Sequence, residues 1–287
     1  MIRESATMEV NAADVKKLRD RTGMQMMKCK AALIEAGGDM EKAIDNLRKQ
    51  NKDAVLKLTD RESTEGRIGV HIEAATGIGA IVELRCESAP VAKTDLFIKL
   101  ASDLARQVAV EGTPADVATF LAKPFIDNPA QTVQDRIGEL VGLMRENIKP
   151  ARMARLEGKL GHYVHHDGTV GVLLAVEGDK HDAQMLRDVC MHITAKSPLA
   201  AVREDIPQDR IAKETEIARA RAVEEGKNKP ANIIDKIAEG KMRSWLADNV
   251  LLDQPFVKDE SKTVGQLLTG AGLKFKKFVR YRVGDLA

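Results

Sequence analysis

Apolar residues recur at helical spacing through the first fifty residues of the chain. They predict three short helices, each with one buried face: Val15 and Leu18, then Met26, Cys29, Leu33 and Ala36, then Ala43, Ile44 and Leu47. Asn11 or Asp14 can cap the first helix, and Gly37-Gly38-Asp39 supplies a stop, a turn and a new cap. We predict a helical domain over residues 9–52, followed by a helical or flexible linker over residues 53–65.

The next pattern is an internal repeat of strand-like segments, over residues 66–84 and 158–176. Glycines align between the copies at one constant offset: Gly66 with Gly158, Gly69 with Gly161 and Gly79 with Gly171. Each copy reads as a β-hairpin, because a glycine-containing turn joins two runs rich in β-branched residues. Amphipathic helices are predicted after them, over residues 96–109 and 183–195, and residues 114–147 are expected to be mostly helix and loop.

The last ninety residues change character twice. Apolar stripes over residues 199–250, interrupted at Gly226–Pro230, predict a helical hairpin, and a strand over residues 275–283 can complete the sheet of the second repeat. The predicted fold class is α+β: an N-terminal three-helix bundle, a core of two pseudo-repeated hairpin-plus-helix subdomains with antiparallel sheets, and the inserted hairpin. The subdomains cover residues 66–150, and residues 151–198 together with 251–287.

Composition narrows the functional classes. A net charge of +2 and an aromatic content of 3% argue against direct nucleic-acid binding by bulk charge or base stacking. The three cysteines, Cys29, Cys86 and Cys190, are far apart in apolar runs and indicate reduced core residues. No apolar run approaches the ~20 residues of a membrane span. We expect a cytoplasmic protein that binds neither nucleic acid nor membrane.

The candidate motifs for catalysis and cofactor binding do not match the patterns that these functions require. The run from Gly77 to Val82 lacks the third glycine of a dinucleotide fingerprint and leads into a strand. His162, His165, His166 and the adjacent Asp167 suggest an exposed hairpin rather than a metal site, because alternate residues of a strand face opposite sides. We predict no catalytic residue, no metal ligand and no cofactor.

Several stretches carry a family resemblance. They are Val15–Gly23, Met27–Leu33 with Gly38–Ala43, Cys86-Glu87 through Val91-Ala92-Lys93, Gln254–Asp259 with Ser261–Leu268, and Phe278–Gly284. Together, and in this order, they resemble the bacterial translation elongation factor Ts family, and the first resembles its ubiquitin-associated-type N-terminal domain. The likeness runs through nearly the whole chain.

The resemblance implies a guanine-nucleotide exchange factor that binds elongation factor Tu and promotes GDP release by disturbing its nucleotide and Mg²⁺ site. Such a factor is not an enzyme, since it makes and breaks no covalent bond. Carried over by position, the partner contacts fall on three groups of residues: Arg19, Thr22, Gly23 and Met27 of the bundle; Ser88, Ala89, Pro90 and Val91 of the Mg²⁺-dislocating loop; and Met191, His192 and Ile193 of the second-repeat helix.

The loop departs from the family pattern, since the family's Thr-Asp-Phe-Val is Ser-Ala-Pro-Val here. A shift in register to Thr94–Phe97 is excluded, because the flanking Cys86-Glu87 and Val91-Ala92-Lys93 fix the alignment. Two interpretations stay open: a weaker apolar wedge, or a turn that only leads into the next helix. The alternative function is therefore a binding or chaperone module for elongation factor Tu with weak exchange activity.

Three further alternatives stay open. The methionines at positions 24, 26 and 27 fill a core or form a docking surface, and His192 is either packed in its helix or in contact with the partner. A homodimer or a two-plus-two complex with the partner is compatible with the helical hairpin.

Overall fold

The N-terminal part of the chain forms three helices: α1 (Ala12–Thr22), α2 (Met26–Glu35) and α3 (Met40–Leu58). This computed structural model describes residues 10–22, 24–179, 182–227 and 229–285, and only the backbone of residues 51–57. Asn11 accepts the N–H of Ala13 at the start of α1, and Asp39 caps α3. Because α3 continues to Leu58, the first part of the predicted linker is helical.

The first repeat follows, with a central sheet of three strands in the order β1-β2-β5. Its elements are β1 (Glu65–Glu73), β2 (Ile78–Cys86), α4 (Ala89–Ala92), α5 (Asp95–Glu111), α6 (Val117–Leu121), β3 (Pro124–Phe125), β4 (Asn128–Thr132), α7 (Val133–Met144) and β5 (Lys149–Glu157). The N-terminal bundle contacts this repeat through α3, which packs against α7.

The second repeat has a sheet in the order β10-β7-β6, so its last strand joins the sheet as predicted. Its elements are β6 (Lys159–Val164), β7 (Val170–Gly178), α8 (Ala183–Lys196), α9 (Gln208–Glu225), α10 (Ala231–Asn249), β8 (Pro255–Phe256), β9 (Asp259–Thr263), α11 (Val264–Gly270) and β10 (Leu273–Arg282). The long helices α9 and α10 form the inserted hairpin. The α+β fold class predicted from the sequence is confirmed.

The two repeats share a further unit, a small β-hairpin, that was not predicted from the sequence. Residues 114–147 are not only helix and loop, since β3 pairs with β4 and leads into α7; β8 likewise pairs with β9 and leads into α11. Each small hairpin starts with Pro-Phe and ends in a capping box, Thr132 with Asp135 and Thr263 with Gln266. Two-residue strands lack the periodicity that reveals longer ones.

Two of the aligned glycines allow a helix to lie close against each sheet. A Cβ atom on Gly69 would clash with the backbone carbonyl oxygen of Ala101 on α5, and one on Gly161 would lie 2.6 Å from the Cβ atom of Leu186 on α8. The repeated glycines therefore reflect the same packing in both repeats, in which one helix lies close against the sheet.

Contacts divide the chain into two compact units. The described residues within Met1–His71, Ala80–Arg155 and Arg282–Ala287 form unit 1, and those within Ile72–Gly79 and Leu156–Tyr281 form unit 2. Unit 2 has its own apolar core, in which α8 covers β7 with side chains that include Val172, Leu174, Leu186, Val189 and Ile193. The finer division into subdomains stays a prediction.

Candidate partner-binding surfaces

The connection between α1 and α2 is held together by the hydroxyl group of Thr22. This hydroxyl donates to the carbonyl oxygen of Leu18 at 2.7 Å and accepts the N–H of Met24 at 3.4 Å. The thiol of Cys29 donates to the Met24 carbonyl oxygen at 3.6 Å. Thr22 thus shapes the turn that it borders, while the neighbouring Gly23 lies outside the described residues.

Helix α2 exposes apolar side chains beside this turn. Met26 is 44% exposed, Met27 73% and Ile34 45%, whereas Met24 is 2% exposed. Met24 fills the end of the bundle core, which leaves Met26 on the surface; its predicted place on the buried face was wrong. With Arg19 also exposed, the bundle presents an adaptable thioether surface of the kind that protein partners use.

The segment Ser88–Val91, predicted to be an apolar wedge or a turn that leads into the next helix, is a helical turn. Ser88 precedes the one-turn helix α4, in which Pro90 is exposed and both Ala89 and Val91 are partly exposed. Proline is favoured in the first turn of a helix, because its N–H would be unused there and its φ is already helical. The turn therefore presents a stiff apolar corner.

The carboxylate of Glu146 anchors this turn from 58 residues further along the chain. Its Oε2 atom accepts the backbone N–H groups of Glu87 at 3.2 Å and Ser88 at 3.0 Å, and its Oε1 atom accepts the Ser88 hydroxyl. Hydrogen bonds to a carboxylate are stronger than those between neutral groups. Glu146 was not among the predicted site residues, because nothing in the local sequence relates it to the turn.

A second layer of hydrogen bonds holds Glu87. Its Oε1 atom accepts the N–H of Asn147 at 2.7 Å, and its Oε2 atom lies 3.5 Å from the Arg61 guanidinium. The Asn147 amide donates to the carbonyl oxygens of Thr59 and Arg61, and the Ser63 hydroxyl donates to the Asn147 carbonyl oxygen. Three distant segments thus meet beneath the turn, and such a satisfied network is rigid.

The residues that flank the turn along the chain have structural roles. Phe97 is fully buried, which agrees with excluding a wedge in the shifted register. Burial, assisted by the charge of Glu146, raises the pKa of the Cys86 thiol to about 12, so this cysteine stays protonated and unreactive. Leu96, at the start of α5, is 44% exposed and adds apolar surface.

In unit 2, the predicted contact residues lie on α8. Met191 is partly exposed, but His192 and Ile193 are both fully buried. The Nδ1 atom of His192 accepts the N–H of Val257 at 3.3 Å, which leaves Nε2 to donate to the Gln254 side-chain oxygen at 2.9 Å. His192 is therefore packed between elements of this unit, and Met191 is the one of the three with surface to offer.

The histidine cluster forms a surface hairpin. The ring centroids of His165 and His166 lie 4.3 Å apart, and Asp167 caps the turn by accepting the N–H of Thr169. Within the described ranges, no group of three or more His, Cys, Asp or Glu side chains is arranged to hold a metal ion. None of the described helices combines the length and the apolar run needed to cross a bilayer.

An α+β fold that exposes methionine and proline on rigid, hydrogen-bonded turns has the features of a protein-binding factor. A family model described as elongation factor TS matches residues 87–285. The chain belongs to this family of translation elongation factors.

Individual relatives extend the match through the N-terminal bundle. Elongation factor Ts of Thioalkalivibrio sulfidiphilus (strain HL-EbGR7) is 41% identical over 282 residues, which cover 97% of this chain and 93% of the relative. Elongation factor Ts of Aquifex aeolicus (strain VF5) is 39% identical over 290 residues, covering 97% of this chain and 99% of the relative.

Proposed function

We propose that this protein is a guanine-nucleotide exchange factor that binds elongation factor Tu and promotes GDP release by disturbing its nucleotide and Mg²⁺ site. One observation carries the proposal: the Ser88–Val91 turn exposes Pro90 on a base that Glu146 holds in place. An exchange factor needs no reactive group. It must bind the nucleotide-free partner more tightly than the nucleotide-bound one, and by linkage that preference weakens nucleotide binding.

Three surfaces would share the binding. Arg19, Thr22, Gly23 and Met27 would dock on the nucleotide-binding domain of the partner, while the Ser88–Val91 turn would reach its Mg²⁺ site. Met191 would contact another partner domain, with His192 and Ile193 supporting α8 from beneath. The resemblance assigns these positions. Among them, only the side chains that are exposed to solvent would contact the partner directly.

The chemistry of the turn limits how it would act. Ala89 and Pro90 carry no group that could coordinate or repel a metal ion, so the disturbance would be steric. A wedge of this kind works only if it does not yield when the partner closes on it. The hydrogen bonds from Glu146 and the Glu87–Asn147 layer supply that resistance, because a pre-organised surface loses little free energy to ordering on binding.

The second candidate is a binding or chaperone module with weak exchange activity. It is favoured by the same turn, which lacks the carboxylate and the aromatic ring of the family pattern and is folded into a helix. Both candidates share the partner and differ in whether binding releases the nucleotide.

Stopped-flow release of fluorescent GDP from elongation factor Tu separates the two candidates. We expect saturating amounts of this protein to accelerate release. Equal rates with and without it, although a complex forms, would support the chaperone function and exclude exchange.

The double change Ala89→Asp with Pro90→Phe restores the family's acidic and aromatic pair. We expect faster GDP release, because a larger wedge excludes more of the nucleotide-bound state. Pro129→Phe is the matched control, since this exposed proline lies on β4, away from the turn. Unchanged release by the double variant would show that the turn is not the wedge.

We further propose that the protein acts in the cytoplasm without direct nucleic-acid contact. The hairpin of α9 and α10 is the element available for a homodimer or a two-plus-two complex. Sedimentation velocity of the chain alone and with the partner distinguishes these assemblies.

A further inference from the structure

A polar cavity of ≈ 320 Å³ lies within unit 1, where the N-terminal bundle meets the first repeat. The end of α1, α3, β4 and α7 contribute to its walls. Its polar lining includes Arg21, Thr22, Arg48, Asn128, Gln131, Arg136 and Glu139. Of these polar side chains, the resemblance assigned a role to Thr22 and to none of the others.

Gln131 adds a neutral amide to the cavity wall. Its side chain is 7% exposed and lines the cavity, yet it forms no hydrogen bond with any residue in the described ranges. Because Gln131 lies on the cavity wall, its amide can hydrogen-bond to water or to a ligand that enters the cavity. Gln131 thus offers a neutral donor and acceptor to a ligand in the cavity.

The charges around the cavity favour an anion. Three arginines line it, and each is ion-paired at one nitrogen: Arg21 with Glu41 at 2.9 Å, Arg48 with Asp45 at 3.7 Å and Arg136 with Glu139 at 2.8 Å. A guanidinium group has five N–H donors, so these pairs leave donors unused. Of the three carboxylates, only that of Glu139 belongs to the cavity lining, so positive charge exceeds negative charge there.

We propose that this cavity binds a small oxyanion of the phosphate class, either free or as the terminal phosphate of a mononucleotide. Guanidinium groups match the geometry of phosphate oxygens, and the amides of Gln131 and Asn128 add neutral donors. The volume exceeds that of a bare phosphate ion, which leaves room for water or for part of a phosphomonoester.

The ligand would fasten the bundle to the repeat beneath it. Arg21 lies in the last turn of α1, Arg48 on α3 and Arg136 on α7, so one anion would bridge three helices. Binding that requires all three in place stabilises the folded arrangement by mass action. Thr22 also lines the cavity, so the site adjoins the bundle surface proposed to bind elongation factor Tu, although its arginines and Gln131 are not among those partner contacts.

Calorimetric titration of the full chain with inorganic phosphate, at constant ionic strength set by chloride, tests the proposal directly. We expect one saturable site per chain and a rise in melting temperature that chloride does not produce. A parallel titration with GMP identifies the source: tighter binding than phosphate indicates a phosphomonoester, and weaker binding indicates the free ion. Absence of binding by both ligands overturns the proposal.

Two variants locate the site. Arg48→Gln removes a charged donor and should weaken phosphate binding at least about tenfold. Gln131→Glu places a carboxylate among the guanidinium groups, so it should abolish phosphate binding and raise the melting temperature without ligand. Arg243→Gln, an exposed arginine of α10, is the matched control and should bind normally. Unaltered phosphate affinity in folded Arg48→Gln and Gln131→Glu proteins would overturn the proposal.

Discussion

At the scale of single residues, three methionines within four positions have different environments. Met24 is enclosed in the bundle core, while Met26 and Met27 face solvent. A pattern of apolar residues cannot distinguish them, because an exposed methionine next to a turn has the same composition as a buried one. Substitution of the buried methionine should therefore affect stability, whereas substitution of an exposed one should affect binding.

Alanine substitutions at Met24 and Met27 test this separation. Met24→Ala should lower the free energy of unfolding by about 2–5 kcal/mol, since it leaves a cavity in the core. Met27→Ala should change it by less than about 0.5 kcal/mol, because the side chain is exposed, yet weaken the complex with elongation factor Tu by about 1 kcal/mol or more. Urea denaturation and a binding titration measure the two effects. Wild-type affinity of Met27→Ala would remove the docking role from this residue.

His192 predicts a pH dependence of stability. Burial lowers the pKa of His192, outweighing the hydrogen bond to Gln254, which raises it, and Lys196 lowers it further. The unfolded imidazole titrates near 6.5, so only the unfolded chain gains this proton as the pH falls from 6.5 towards the lower folded value. Stability from this residue is present above pH 6.5 and decreases below it.

The variant His192→Gln isolates this contribution. We expect urea midpoints of the wild type to fall between pH 6.5 and pH 5, and to fall less in the variant. His166→Gln, at an exposed position on the hairpin, should keep the wild-type slope. The same slope in all three proteins would assign the pH dependence to other groups.

At the scale of elements, the repeated glycines and the repeated Pro-Phe hairpins show two copies of one unit. The repeat of glycines was evident in the sequence, but the packing that requires it was not. Without a side chain, these glycines allow a helix to lie close to the sheet. The Pro-Phe hairpins were not predicted, because a strand of two residues is too short to show an alternating pattern of apolar and polar residues. Only the backbone pairing in the structure identifies them as strands.

Glycine-to-alanine substitutions test the packing explanation with opposite signs. Gly69→Ala should lower the free energy of unfolding by about 1–3 kcal/mol, because its Cβ atom would clash with the Ala101 carbonyl oxygen on α5. Gly240→Ala, in the interior of α10 with open space around it, should raise stability by about 0.5–1 kcal/mol. Chemical denaturation measures both, and a neutral Gly69→Ala would contradict the close helix approach.

At the scale of the molecule, unit 1 is stabilised by contacts between residues up to 201 positions apart in the sequence. Glu83 on β2 is fully buried and forms ion pairs of 2.6 Å with Arg85 and Arg152. The same carboxylate accepts the N–H of Gly284 at 3.1 Å, and the Arg152 side chain donates to the Arg282 carbonyl oxygen. A buried carboxylate thus joins the C-terminal segment to the central strand of the first sheet.

Glu83→Gln should release this segment. Removing the charge leaves two arginines without their shared partner, which costs about 3–5 kcal/mol for a buried pair. Hydrogen exchange should accelerate at the Gly284 amide more than at the amides of α5. Glu62→Gln, at an exposed position, is the control. Unchanged protection at Gly284 would show that the carboxylate does not hold the segment.

The sequence by itself determined the elements that repeat a local period. The helices α5 and α8, the β-hairpins β1–β2 and β6–β7 and the last strand were predictable, because a 3.6-residue or two-residue period is a property of neighbouring residues. The resemblance likewise located the candidate surfaces, since it depends on the order of residues along the chain.

Only the tertiary structure decided which of these residues face a partner. It buried His192 and Ile193, exposed Met26 and Met27, and folded Ser88–Val91 into a helical turn. It also brought Glu146 beneath that turn and placed Gln131 on the wall of a cavity that three arginines line. Each outcome depends on side chains distant in sequence competing for the same space and the same hydrogen bonds, and no local pattern records that competition.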